Sequence, residues 1–166
     1  AGASSLAILP DGSIATAGWY TGSHILGKGT AREDQLVPVA EDFAFDGYLA
    51  RYSSTGDFQW ASRIGGRSTD MATHVSALPD GEILVTGFFS QECWLGEGDN
   101  EVYFQRLSGY REILVAQYDI DGECSWAKSE GGVGSESGIS IDALPDGSSL
   151  VTGRFSDQVS FGKGEP

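Results

Sequence analysis

The chain has 166 residues, 24 of them glycine, and 24 acidic side chains against 10 basic ones give a formal charge of −14 at pH 7. This charge argues against a nucleic-acid binder, because phosphate contacts need clustered Lys and Arg. It also argues against docking on anionic lipid. With 40% hydrophobic and 11% aromatic residues the chain is not disordered, and no apolar run approaches the ~18 residues of a membrane-spanning helix.

The sequence repeats itself. The motif Leu-Pro-Asp-Gly begins at Leu9, Leu78 and Leu144. The same offsets relate two further sets of glycines: Gly18, Gly87 and Gly153, then Gly27, Gly96 and Gly162. The second half of the unit recurs as well, because Trp60 and Gly65-Gly66 match Trp126 and Gly131-Gly132. A fixed register with a period of about 66–69 residues is the signature of a repeat protein.

Each unit is predicted to form four strands. In the second unit the predicted strands cover residues 74–78, 82–89, 113–118 and 124–128, with a short strand-like piece at 93–96. Pro-Asp-Gly turns join the first two strands, since Pro presets φ and Gly accepts a positive φ. No stretch keeps a helical period. We therefore predict an all-β chain of β-propeller blades, each with four antiparallel strands; a two-sheet sandwich is the alternative.

The predicted blades cover the whole chain, 1–166, as a partial propeller. Blade 1 spans about 4–63, blade 2 about 73–129, and the first half of blade 3 about 139–166. A closed propeller needs 4 to 8 blades, so we expect these residues to be a segment of a longer chain. A homo-oligomer that pairs its leftover hairpins is the alternative.

Two family resemblances follow from the motifs. The order LPDGxxxVTGxF, FGxG, then GxxxWA and a Gly-Gly loop resembles bacterial seven-bladed β-propeller repeat proteins of the SBBP type. This resemblance implies an extracytoplasmic, secreted or cell-surface repeat protein, often with no assigned activity. The spacing of Ala50, Thr55-Gly56 and Trp60, repeated at Ala116, Gly122 and Trp126, resembles the tryptophan-docking motif of quinoprotein propellers. It implies that Trp60 and Trp126 pack against the neighbouring blade; direct stacking on a ligand is the alternative.

The long connections at 30–45 and 99–111 are the candidate interaction loops, on the same face as the loops at 64–72 and 130–138. Binding residues concentrate on variable loops of this kind. The second connection carries the aromatic and Arg side chains that are enriched at interfaces: Tyr103, Phe104, Arg106, Tyr110 and Arg111. The alternative is a loop that packs its own aromatic rings on the blade.

Catalytic and metal sites find little support in the sequence. Asp119, Asp121 and Glu123 have the start of a calcium loop, but a tight Asp-Gly turn explains the same letters. His24 and His74 occupy non-equivalent positions with no paired ligand spacing. We expect no catalytic residue, no cofactor and no metal.

Two smaller expectations concern polar and sulfur side chains. Asp70 and Glu136 recur in register after the Gly-Gly pairs, where we expect them to cap the turns. Cys93 and Cys124 are compatible with two buried thiols or with one disulfide.

We therefore expect a non-catalytic scaffold outside the cytoplasm, extracellular or at the cell surface, with the periplasm as the alternative. Its partners would be other protein subunits or surface polymers, within a larger assembly, and neither nucleic acid nor membrane. The competing hypotheses are the propeller segment of a quinoprotein-like or hydrolytic enzyme, and a carbohydrate-binding lectin that uses Trp19 or Trp94.

Overall fold

The computed structural model describes residues 1–39, 44–96, 101–106 and 109–160. All the regular structure in these residues is β-strand, which confirms the all-β prediction. The first unit consists of β1 (Gly2–Ile8), β2 (Ile14–Tyr20), β5 (Asp46–Tyr52) and β6 (Phe58–Gly65). The second consists of β7 (Met71–Ala77), β8 (Ile83–Phe89), β11 (Glu112–Tyr118) and β12 (Cys124–Gly132), and the third begins with β13 (Ser137–Ala143) and β14 (Ser149–Arg154).

Each complete unit is one antiparallel sheet, and its four strands pair in chain order. Short turns with Gly at positive φ, such as Gly12 and Gly81, connect the first two strands. The sheets pack face to face around a shared core. Its members include Leu49, Ile64 and Val75. Four-stranded antiparallel sheets that repeat and stack in this way are β-propeller blades.

The first strand of every blade carries the same β-bulge. The register shifts between Ala3 and Ser5 in β1, and at the equivalent positions of β7 and β13. Opposite the bulge lies the repeated glycine Gly87, where a Cβ would lie 1.9 Å from the carbonyl oxygen of Met71. Gly18 and Gly153 face the equivalent carbonyl oxygens at 2.1 and 2.3 Å. The repeat therefore keeps glycine there because the bulged strand leaves no room for a side chain.

The long connections contain further short strands: β3 (His24–Leu26), β4 (Asp34–Leu36), β9 (Glu92–Leu95), β10 (Val102–Gln105) and β15 (Val159–Ser160). Strands β9, β10 and β15 extend the sheet of the preceding blade, whereas β3 and β4 form a separate two-stranded sheet. Strand β9 leaves the second blade and pairs with β6 of the first, with Leu95 opposite Ile64. Strand β15 pairs with β12 in the same way.

These short strands correct two predictions about the connections between blade strands. The connections at 30–45 and 99–111 are not loops throughout, because 34–36 and 102–105 form return strands of hairpins. The predicted loop at 130–138 begins later, since β12 continues to Gly132 and pairs with Val159 there. The extra pairing supplies partners for backbone groups that a four-stranded blade would leave at its edge.

The first strand of one blade packs on the face of the blade before it. Val75 of β7 is buried in the shared core, and Ile141, its equivalent on β13, is buried against Leu78 and Leu84. Leu6 holds the same register on β1 and is 64% exposed. Side chains of β7 also bond to β13, since Thr73 Oγ1 donates to the carbonyl of Gly138 at 2.8 Å. Apolar packing and hydrogen bonds thus join successive blades.

Candidate interaction surface

The β9–β10 hairpin displays two aromatic rings on the outer edge of the first blade. Trp94 and Tyr103 are directly opposite in the hairpin, and their ring centroids lie 5.1 Å apart. Tyr103 is 48% exposed. Two rings in contact on an exposed strand pair give a rigid apolar patch with polar N–H and O–H groups at its margin. We call Trp94 and Tyr103 the edge aromatic pair.

The other residues of the predicted interaction loop divide into outward and inward groups. Phe104 points inward, toward the buried Phe89 with 6.1 Å between centroids. Arg106 donates from Nη1 to the carbonyl of Tyr110 at 3.1 Å, and the Tyr110 side chain is 77% exposed. The guanidinium of Arg111 lies 4.2 Å above the Phe88 ring. Tyr103 and Tyr110 are therefore the outward aromatics of this segment. Residues 97–100 and 107–108 lie outside the described part.

Strand β10 forms one end of its sheet in the described structure, where the strand order is β1-β2-β5-β6-β9-β10. The strand alternates, with Val102 and Phe104 half-buried and Tyr103 and Gln105 exposed. An edge strand presents backbone N–H and C=O groups outward, and a partner strand can pair with them. The hairpin therefore combines an edge aromatic pair with an accessible strand edge.

Trp60 lies between the two blades. The side chain is 8% exposed and belongs to the shared core, and its Nε1 donates to the carbonyl of Ile120 at 2.9 Å. Arg51 reaches the same carbonyl from Nη1 at 2.6 Å and also donates from Nη2 to Asp11 at 2.7 Å. Hydrogen bonds from Ser13, with the charge of Arg51, lower the pKa of Asp11 below its ordinary value. These residues form what we call the Trp60 clamp: Asp11, Arg51, Trp60 and Ile120.

Trp126 has the same register and different neighbours. It is 36% exposed, and its Nε1 donates to Oε1 of Gln117 within its own blade at 2.8 Å. Gln117 occupies the position of Arg51, and its Nε2 donates to Glu82. A docking role for either tryptophan stays a prediction.

Buried carboxylates cap the Gly-Gly turns, as predicted. Asp70 accepts hydrogen bonds from the N–H of Gly66 at 2.6 Å and of Ser90 at 2.8 Å. Glu136 accepts from Gly132 at 3.1 Å. Burial raises the pKa of Asp70, and the nearby carboxylates of Asp46 and Glu92 add to this effect. The two N–H donors act in the opposite direction, and the resulting pKa is about 8.

The carboxylate of Asp119, the first residue of the hypothetical calcium loop, contacts the backbone of its own turn. Asp119 accepts from the N–H groups of Asp121 and Glu123, each at 2.9 Å, as a turn-forming carboxylate does. Within the described residues, no three His, Cys, Asp or Glu side chains are placed to hold a metal ion. Cys93 and Cys124 are free thiols. Burial raises the pKa of both, that of Cys124 to about 11.

The described part of the chain contains no helix of the length and hydropathy that membrane crossing requires.

Comparison with known proteins yields a likeness to a repeat protein. No family model matches the chain. Over 111 residues, or 65% of its length, the chain is 23% identical to an uncharacterized WD repeat-containing protein of Acanthamoeba polyphaga mimivirus. The chain spans 8% of that protein's length. Together with the stacked four-stranded sheets, this likeness indicates a repeat protein of the β-propeller kind.

Proposed function

We propose that the chain is a non-catalytic propeller scaffold that binds another protein outside the cytoplasm through the edge aromatic pair and the free edge of β10. The observation that carries this proposal is the ring contact at 5.1 Å between the half-buried Trp94 of β9 and the exposed Tyr103 of the edge strand β10. The WD repeat relative supports an interaction scaffold in general terms. The extracytoplasmic location and the SBBP type rest on the resemblance of the repeat motifs.

The backbone edge and the aromatic rings of the β9–β10 hairpin both favour a protein partner. An edge strand supplies backbone hydrogen bonds in register, and alternate side chains supply specificity. Aromatic rings bury a large area at little cost in side-chain entropy. The first blade offers an internal comparison, because its β3–β4 hairpin carries the exposed Ile25 at the position of Trp94. The second hairpin therefore adds aromatic surface that the repeat itself does not require.

Photo-crosslinking tests this proposal. A benzophenone amino acid replaces Tyr103 in one variant and Ile25 in a matched control, and both are expressed in cells that produce the protein. We expect one protein adduct of defined mass from position 103 and none from position 25, and we expect Trp94→Ser to reduce the adduct at least severalfold. Equal adducts from both positions, or none from position 103, would contradict the proposal.

The edge aromatic pair also favours a second candidate, a lectin in which Trp94 stacks on a sugar ring. Trp19 is less suited to that role, because its ring packs against Phe45 at 4.8 Å. A glycan array decides between the two candidates: specific signal that Trp94→Ser abolishes supports the lectin. The enzyme alternative predicts cofactor absorbance or a bound metal in the purified protein.

A further inference from the structure

Two arginines line a cleft where the second blade meets the third. The cleft has a volume of about 360 Å³ and is lined by Arg111, Ser135, Ser137, Arg154, Phe155 and Ser156. An adjoining cavity of about 330 Å³ shares Arg111, Ser137 and Arg154 with it. Side-chain hydroxyls thus accompany two guanidinium groups in one recess, which we call the Arg111–Arg154 cleft.

Backbone pairing holds these residues together. Arg111 forms an isolated β-bridge with Ser135, and Ser137 is directly opposite Arg154 in the β13–β14 hairpin. The N–H of Ser135 donates to Oγ of Ser156 at 2.8 Å. Both arginines therefore extend from paired backbone, which limits their freedom before a ligand arrives.

The described residues that line the cleft include two guanidinium groups and no carboxylate, although Glu130 lines a further neighbouring cavity together with Arg154. The net charge is −14, and the ion pairs found among the described residues involve Arg51, Arg63 and Arg67 rather than the arginines of the cleft. Arg111 stacks on Phe88. Stacking uses the face of the guanidinium and leaves its N–H groups, which lie in the plane, directed outward.

The preceding repeat unit shows that the fold does not require cations here. One unit earlier, the positions equivalent to Arg111 and Arg154 hold Phe45 and Phe88. Phe45 packs against Trp19 there, as an apolar contact. Arg111 repeats this contact, because it stacks on Phe88 as Phe45 packs against Trp19. Packing therefore accounts for the face of the Arg111 guanidinium, whereas the repeat does not require the positive charge of Arg111 or of Arg154.

We propose that the Arg111–Arg154 cleft binds a carboxylate group. A guanidinium is planar and pairs with carboxylate oxygens through two parallel N–H groups. The hydroxyls of Ser135 and Ser137 can donate further hydrogen bonds, and Phe155 forms an apolar wall. Glu136 lies between those serines, but its carboxylate faces the Gly132 N–H. The acidic surface repels extended polyanions, so the ligand is a small acid or the terminal carboxylate of a peptide.

The test is an NMR titration of the intact 166-residue protein, following the Arg Nε–H signals. The probes are succinate, a tripeptide with a free carboxyl terminus and the same tripeptide amidated. We expect saturable shifts for succinate or for the free tripeptide, with Kd on the order of millimolar, and none for the amidated peptide. The probe that binds more tightly identifies the source of the carboxylate. Affinity should fall with added salt.

Variants make the assignment specific. Arg154→Gln changes an exposed residue, and Arg111→Gln changes the stacked one; each should weaken binding by about fivefold or more. Arg67→Gln is the matched control, because Arg67 is paired with Glu92 outside the cleft, and it should leave the affinity unchanged. Sulfate is titrated as a further probe in the same way. Equal weakening by the control, the absence of a saturable shift, or tighter binding of sulfate than of either carboxylate would overturn the proposal.

Discussion

Trp60 and Trp126 occupy the same position of two successive repeat units, yet their surroundings differ. Trp60 is 8% exposed and bonds across the blade boundary to Ile120, whereas Trp126 is 36% exposed and bonds to Gln117 of its own strand pair. The backbone register is the same in both blades. The repeat therefore fixes where the indole lies. The carbonyl that Trp60 reaches belongs to the last turn of the following blade, and the described residues hold no counterpart of that turn beside Trp126.

The residue beside the indole is Arg51 in one blade and Gln117 in the other. Arg51 is long enough to reach both Asp11 in its own blade and the Ile120 carbonyl in the next. Gln117 is shorter, accepts from Trp126 and donates within the blade. Arg51 and Trp60 thus add polar links between the first and second blades, whereas the hydrogen bonds of Gln117 and Trp126 found among the described residues stay within the second blade.

The largest effect should follow from removing the buried indole. We expect Trp60→Ala to lower the free energy of unfolding by about 3–5 kcal/mol, because it leaves a cavity between the sheets and removes one of the two donors to the Ile120 carbonyl. Trp126→Ala is the matched control and should cost far less, since its side chain is already partly in solvent. Chemical denaturation of both variants measures the difference, and equal losses would contradict a docking role for Trp60.

A smaller loss of stability should follow when Arg51 is replaced by Gln, the residue that the second blade has at this position. Arg51→Gln removes the charged donor to Ile120 and should cost about 1.5–3 kcal/mol. Asp11→Asn keeps that bond and changes only the exposed partner, so it should cost less. If Asp11→Asn destabilised the protein as much as Arg51→Gln, the bond across the boundary would contribute nothing.

Asp70 and Glu136, which cap equivalent turns, should differ in how they make the stability depend on pH. The folded state keeps the Asp70 proton up to a pKa of about 8, whereas the unfolded chain releases it near 3.8. The folded state then binds more protons between these values, so stability falls as pH rises from 3.8 toward 8, with a slope of up to about 1.4 kcal/mol per pH unit.

Denaturation at a series of pH values checks this slope. Asp70→Asn should flatten it, whereas Glu136→Gln, the matched control at the equivalent cap, should retain it. Parallel pH curves for the wild type and Asp70→Asn would show that this carboxyl does not hold its proton in the folded protein.

Local chemistry explains how much of this could be predicted from sequence. The Pro-Asp-Gly turns and the glycines opposite the bulge recur because adjacent backbone needs them, so the letters reveal the blade period. Strand β9 pairs with β6, which belongs to another unit, and no local pattern encodes such pairing. The pattern at 93–96 predicts a strand-like piece, whereas the loop predicted across 102–105 is wrong, because the pairing of these residues depends on β9.

The candidate sites also combine features that local sequence predicts with contacts between units that it does not predict. Aromatic and Arg content single out the segment from Tyr103 to Arg111, but sequence cannot show that Phe104 points inward. It does not single out Arg154, which lies on a different unit from Arg111. Aligning the units supplies a signal, since Arg154 stands where the second blade has Phe88. Departures from the repeat, more than the repeat itself, indicate where function lies.

The smallest expected effect concerns the turn before the short strands β3, β9 and β15. Gly22, Gln91 and Asp157 share this position and all have positive φ, at 69°, 69° and 60°. A residue with a side chain is strained there, so Gln91→Gly should raise stability by about 0.5–1 kcal/mol despite the entropy that glycine loses. The reciprocal Gly22→Ala should lower it by a similar amount, although a Cβ at residue 22 meets no atom within 4 Å. Thermal unfolding of both variants measures the pair. Opposite signs would show that backbone conformation, not packing, sets this position; a loss of stability in Gln91→Gly would instead assign a contact role to the Gln91 side chain.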